Sequence, residues 1–358
     1  MTLAKRESSM TRAAAGAAAL VVFILAGYVF FGQGPTKGRF PGPAGRTVRL
    51  TYSFTVSDIA PDADRVLAWV PIPPTNQVQR LMAFKVEGSI PYRTVNETEY
   101  GNRFLLIDLS NQVRLPGGNI DVSVWFLVAR YATGRLNDTT PSEPVDEPAL
   151  QRHLQPDSLV PITGRIAAEA RAVVAGVSEP ARQARLLYDH IVDTLVYDKS
   201  GKGWGRGDAV YACDVRRGNC SDFHSLFIGQ ARALGIPSRF IMGLPLPANA
   251  RRGRIGGYHC WAEFYVSGRG WIPIDASEAN RFPDKREIFF GSLDEHRVAF
   301  SVGRDIGLPE AAGGPVNFAI YPHVEVQGRV HENVATSFFF QDCPHTAAIV
   351  NSTWPVSR

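Results

Sequence analysis

A chain of 358 residues, 45% apolar and 20% charged, can hold two ordinary domains with real cores, which excludes a largely disordered protein. The net charge is only +4, and its densest basic group, Arg251, Arg252 and Arg254, reads as a solvated loop, so nucleic acid is excluded as a partner for want of a clustered basic face. Four cysteines (Cys213, Cys220, Cys260 and Cys343) show no C-x-x-C spacing, which removes zinc ribbons and thioredoxin-type centres; no metal or cofactor is implied.

Residues 1–12 form a short tail carrying Lys5, Arg6 and Arg12. Residues 13–31 are uncharged and almost wholly apolar, and as a helix they would span ~28 Å, close to the hydrocarbon thickness of a bilayer. The expectation is a transmembrane signal anchor or a signal peptide, with Gly32-Gln33-Gly34 as a weak cleavage candidate. Lys37, Arg39 and Arg46 balance the basic residues before the span, so charge does not orient it. The short tail and large body favour an exported, extracytoplasmic body tethered to the membrane. Residues 32–46, rich in Gly and Pro, read as a linker.

From 47 to 131 short β-rich runs alternate with turn residues. Leu50, Tyr52, Phe54 and Val56 alternate with Thr51, Ser53 and Thr55, the period of a half-buried strand. The spacing predicts a small β-sandwich-like domain acting as a spacer or recognition module. Residues 132–160 read as a second linker. Ala184, Leu187, Ile191 and Leu195 then fall on one face of a helix expected to end near Tyr197. A domain from 161 to 330 carries the chemistry, and 331–358 read as further strands or a tail.

Gly218-Asn219-Cys220-Ser221-Asp222 leads into an amphipathic pattern through Phe223, Phe227, Gln230, Ala231 and Leu234. Asn219 is a good N-cap, and Gly235 with Pro237 a good stop. Cys220 therefore falls in the first turn of a partly buried helix, where free N–H groups and the dipole favour a thiolate. The same amides can donate to an oxyanion. In 258–266, alternation sends Tyr258, Cys260, Ala262, Phe264 and Val266 to a core face, making Cys260 a packed, inert thiol. His259 and Trp261 point to the other face. If Tyr265 pairs with Trp271 across the following turn, Asp275 lies diagonal to His259; a slip of one residue would send it to the wrong face. A thiolate to attack a carbonyl carbon, an imidazole to carry the proton and a carboxylate to hold the imidazole make a catalytic set.

These runs, GNCSDFHSLFIGQARALGIPSRF, GGYHCWAEFYV and GWIPIDASE, closely resemble the core of the transglutaminase-like superfamily over about 161–305. The resemblance implies an α+β papain-like fold in which the helix bearing the cysteine packs on an antiparallel sheet. It implies Cys220, His259 and Asp275 as the catalytic residues. It also implies acyl transfer or hydrolysis of a peptide or glutamine amide through a thioester, by a protease, deamidase or transglutaminase. A protein or peptide substrate follows; oligomeric state does not. The family's oxyanion-side aromatic residue finds Trp204 and Tyr211 as loose candidates. A catalytically silent, membrane-tethered scaffold of the same fold is the rival function. His224 has four readings: an alternative base, a packing histidine, a polar support of the site, or a metal ligand with Cys220 and His259. Glu263 and Glu278 compete with Asp275 for the orienting role.

Overall fold

The computed structural model describes residues 45–115, 117–133 and 147–343. The apolar span expected at 13–31 lies outside the described residues, as do most of the first linker and the chain beyond 343. Among the described residues, no helix is long and apolar enough to cross a membrane.

The strands come first in the chain: β1 (Gly45–Val56), β2 (Val66–Pro71), β3 (Gln79–Val86), β4 (Tyr92–Asn96), β5 (Arg103–Asp108) and β6 (Ile120–Tyr131). In β1 the residues picked out by alternation are the buried ones, Leu50, Tyr52, Phe54 and Val56. The helices α1 (Glu147–Arg152), α2 (Gly164–Val173) and α3 (Pro180–Thr194) follow. Then come β7 (Val196–Tyr197), α4 (Ala209–Val215), β8 (Arg217–Gly218) and the cysteine helix α5 (Cys220–Ala233). The strands that follow are β9 (Ser238–Pro245), β10 (Arg252–Ile255), β11 (His259–Val266), β12 (Gly270–Ile274) and, after α6 (Ala276–Arg281), β13 (Arg297–Val302). The last strands are β14 (His323–Val326), β15 (Arg329–Val330) and β16 (Val334–Asp342).

Two five-stranded sheets, β10-β16-β1-β6-β3 and β15-β14-β2-β5-β4, form the sandwich; β12-β11-β9-β13 form the sheet on which α5 packs. The sequential division at 131 and 330 is therefore corrected. The sandwich recruits β14, β15 and β16 from the end of the chain and β10 from inside the catalytic region, with Val48 opposite Asp342. Local periodicity finds strands, but such pairings span hundreds of residues and leave no local trace. Nor is 132–160 a bare linker. It contains α1, and Asp157 receives Arg152 and Arg232, each at 2.7 Å.

One apolar cluster runs through both parts, from Val48 and Tyr52 through Phe126 and Phe300 to Phe223. Two side-chain amides stitch them further. Gln79 accepts from Ala299 N–H at 2.8 Å and donates to its carbonyl at 2.9 Å; Asn102 does the same to Val302, both at 2.8 Å. These amides satisfy backbone groups that the edge strand β13 would otherwise leave unpaired inside the protein.

α5 departs from the amphipathic helix expected. Every residue from Cys220 to Arg232 is buried, because α2, α3 and α4 cover the side away from the sheet. Its polar residues are buried with it: Arg232 donates to the Ser238 carbonyl at 2.9 Å and the Gln155 carbonyl at 2.6 Å. In β9, Gly243 stands opposite His259, and a Cβ there would collide with the Val298 carbonyl and come within 3.0 Å of the Trp261 ring. Gly243→Ala is expected to cost about 1–3 kcal/mol by overpacking; a denaturant midpoint equal to wild type would refute that.

Candidate active site

The first turn of α5 is built by its cap. Asn219 Oδ1 accepts from Ser221 N–H at 2.9 Å, while Asp222 Oδ2 accepts from Asn219 N–H at 2.9 Å, closing a capping box. Asp222 also accepts from Gly205 N–H at 2.7 Å and Gly207 N–H at 3.0 Å, tying the loop that carries Trp204 to the helix start. From the other side, Arg304 donates to the Gly207 carbonyl at 2.8 Å and the Arg206 carbonyl at 3.0 Å. Gly207, at φ +65°, has no room for a side chain beneath Arg304 and Ser225. Cys220 thus begins a helix whose N-terminal amides it can present to an anion.

The hairpin register meets the demand made of it. Tyr265 pairs with Trp271 and Ala262 with Ile274, so the next position places Asp275 beside Trp261. Asp275 is the N-cap of α6 rather than a strand residue, and its Oδ1 accepts from Glu278 N–H and Ser277 Oγ, each at 3.0 Å. Its Oδ2 binds His259 Nε2 at 2.6 Å and accepts from Arg297 Nη1 at 2.8 Å. Cys220, His259 and Asp275 are all buried, and the Cys220 thiol interacts with both His259 and Cys260.

The electrostatics favour an ion pair. The hydrogen bond from Cys260 and the proximity of His259 hold the Cys220 thiol well below the usual thiol range, against the opposing effect of burial. Burial pulls His259 down, yet the Asp275 charge and hydrogen bond, with the Cys220 sulfur, push it up to about 10. Burial likewise opposes ionisation of Asp275, but His259, His224 and Arg297 hold it well below the carboxylate range.

The rival residues face elsewhere. Glu263 binds Arg239 at 2.7 Å, and Glu278 binds Arg281 at 2.6 Å. His224 is buried against the site: its Nε2 accepts from Ala276 N–H at 3.1 Å, and its Nδ1 lies 3.6 Å from Cys260 Sγ. This is a polar supporting role rather than mere packing. Among the described residues, no group of three or more His, Cys, Asp or Glu could hold a metal ion. Arg297 escaped sequence reasoning because it sits in β13, beyond every local motif. Tyr258 was taken only as a core residue, yet its hydroxyl accepts from Asn219 Nδ2 at 2.9 Å.

A helix-borne thiol with an imidazole held by a buried carboxylate is the arrangement that thiol enzymes use. Residues 167–276 match the family model of the transglutaminase-like superfamily, and the chain carries that superfamily's core. An uncharacterized protein of Haemophilus influenzae is 26% identical over 300 residues, 73% of this chain and 80% of that protein. A second, from Mycobacterium leprae, is 32% identical over 161 residues, 42% of this chain and 50% of that protein. Among solved structures, one described as a candidate cysteine protease of Cytophaga hutchinsonii superposes with a TM-score of 0.53 at 17% identity, covering 84% of this chain and 99% of that one. That likeness is one of fold.

Proposed function

We propose that the protein is a thiol acyltransferase or amidohydrolase acting on a peptide or glutamine amide of a protein substrate. The observation that carries this reading is the buried His259–Asp275 hydrogen bond of 2.6 Å beside a thiol at a helix N-terminus. The Cys220 thiolate adds to the amide carbon, forming a C–S bond, and the charge moves to the carbonyl oxygen. The Cys220 N–H, with no acceptor in its own helix, can receive that charge. The His259 imidazolium gives its proton to the departing amine as the C–N bond breaks, leaving a thioester. Neutral His259 then takes a proton from the incoming water or amine, whose attack breaks the C–S bond and restores the thiolate. Asp275 keeps the ring oriented throughout and balances its charge.

The reactive pair exists above the depressed Cys220 pKa and below the His259 value of about 10. Alkylation of Cys220 by iodoacetamide should therefore have an acid midpoint well below the ~8.5 of a free thiol. At the alkaline end, loss of the imidazolium proton should alter the rate near pH 10. Cys220→Ser is the blank, and the label is located by peptide mass spectrometry. Labelling of Cys220 no faster than a free cysteine would instead support the catalytically silent scaffold.

A further inference from the structure

Beside the nucleophile one hydrogen-bond donor is left unused. Asn219 Oδ1 takes the Ser221 N–H at 2.9 Å and the Ser221 hydroxyl at 2.6 Å. A backbone N–H can only donate, so the atom facing it is the amide oxygen. The Asn219 amide nitrogen is then the one turned to Tyr258, 2.9 Å from its hydroxyl oxygen. That nitrogen can only donate, so the Tyr258 oxygen accepts, and its own proton must point elsewhere. Its two nearest acceptors are the Gly205 carbonyl and Ser221 Oγ, each at 3.5 Å. An O–H···O hydrogen bond normally reaches only to about 3.0 Å, so neither holds the proton.

We propose that Tyr258 is a catalytic residue: its O–H donates to the carbonyl oxygen of the substrate as the Cys220 thiolate adds, beside the Cys220 N–H. The assignment rests on the reading of Cys220 as the nucleophile and deepens it. The position follows from the residues that hold the hydroxyl. Asn219 and Ser221 flank Cys220, so the hydroxyl stands at the N-terminal end of α5, the end out of which the first-turn amides point. The ring is fixed before any substrate arrives, with the Phe318 ring 5.8 Å and the Tyr321 ring 6.3 Å away, centre to centre. A donor already held in place costs no reorganisation when charge appears on the substrate oxygen. A Cβ at Gly256 or Gly257 would meet nothing within 4 Å, so the chain leading to Tyr258 borders open space. Burial and the neighbouring Cys220 charge push the Tyr258 phenol above its usual range, so it keeps the proton that it donates. No bond to the Tyr258 oxygen is made or broken in the reaction.

Two reagents separate this role from a structural one. p-Nitrophenyl acetate acetylates a thiolate by addition to a carbonyl. The C–S bond forms, an electron pair moves to the carbonyl oxygen, and its return expels p-nitrophenolate and leaves an acetyl thioester. Iodoacetamide alkylates the same sulfur by displacing iodide and forms no oxyanion. The protein is the full-length chain, shown folded by its thermal melt, and Cys220→Ser is the blank for both reagents. Tyr258→Phe should slow acetylation of Cys220 by about 10²–10³-fold, the scale of one such donor. Its rate and acid midpoint with iodoacetamide should stay at the wild-type values. Acetylation of Tyr258→Phe at the wild-type rate overturns the assignment alone. So does an equal loss with both reagents, which would make Tyr258 a support for the Cys220 thiolate instead. A wild type that reacts with neither reagent faster than a free cysteine overturns the assignment together with the ion-pair reading.

Discussion

Asp275→Asn is expected to reduce turnover of a peptide or glutamine-amide substrate by about 10³–10⁴-fold, the scale of an orienting carboxylate changed to an amide in a catalytic triad. The reason lies in the number of donors that the carboxylate receives. Oδ2 meets His259 and Arg297, and Oδ1 meets Ser277 and Glu278 N–H. An asparagine offers only one acceptor oxygen. If the oxygen serves His259 and Arg297, its NH₂ faces the Glu278 N–H and the α6 cap is lost; if it keeps the cap, the NH₂ confronts Arg297. Removing the charge also removes what raises His259, so the alkaline limb near pH 10 should move down. The imidazolium is then lost at a lower pH, and the reactive window narrows from above. Stopped-flow alkylation against pH and steady-state turnover together check both effects. A rate within tenfold of wild type would remove Asp275 from the mechanism.

Arg297→Met should destabilise the protein by about 3–5 kcal/mol, because it leaves Asp275 charged, buried and short of a counter-ion. Arg297 is itself buried, donates to Asp275 at 2.8 Å, reaches Asp294 at 3.3 Å and lies over the Trp261 ring at 5.6 Å. The methionine recovers part of the packing but none of the charge. Combining it with Asp275→Leu should restore much of the lost stability, since a buried pair replaced whole costs far less than a pair broken in half. The double variant would still lack an oriented His259. Urea denaturation of the two single variants and the double variant checks this. Additive losses in the double variant would show that the pair is not coupled.

Much of the site was legible because its signals are local. Asn219 before Cys220, the alternation around His259 and the turn between Tyr265 and Trp271 each involve neighbours in the chain, and the observed register agrees with them. The β1 alternation was legible for the same reason. What could not be read is what arrives from far away. Arg297 lies 22 residues from its carboxylate, and Gln79 stands 220 residues from the backbone that it pairs. The surroundings of α5 were misread because a stripe of apolar residues shows one buried face, whereas burial of Asp222, His224 and Arg232 depends on partners supplied by other elements. Cys260 was placed on the correct face, and its complete burial agrees with the packed thiol expected there.

β16 lies between β10 and β1, and β10 leads within three residues to His259. The order of synthesis gives this arrangement a meaning. A chain emerging from the ribosome presents Cys220 and His259 well before β16 exists; β9 already pairs with the strand of His259, whereas β10 then has no strand to lie against. The four-stranded sheet that holds His259 can thus form before the sandwich is closed, and the last described strand completes the sandwich rather than the site. A product shortened before residue 334 would carry Cys220, His259, Asp275 and the sheet that holds them, but would leave β1 and β10 without the strand between them.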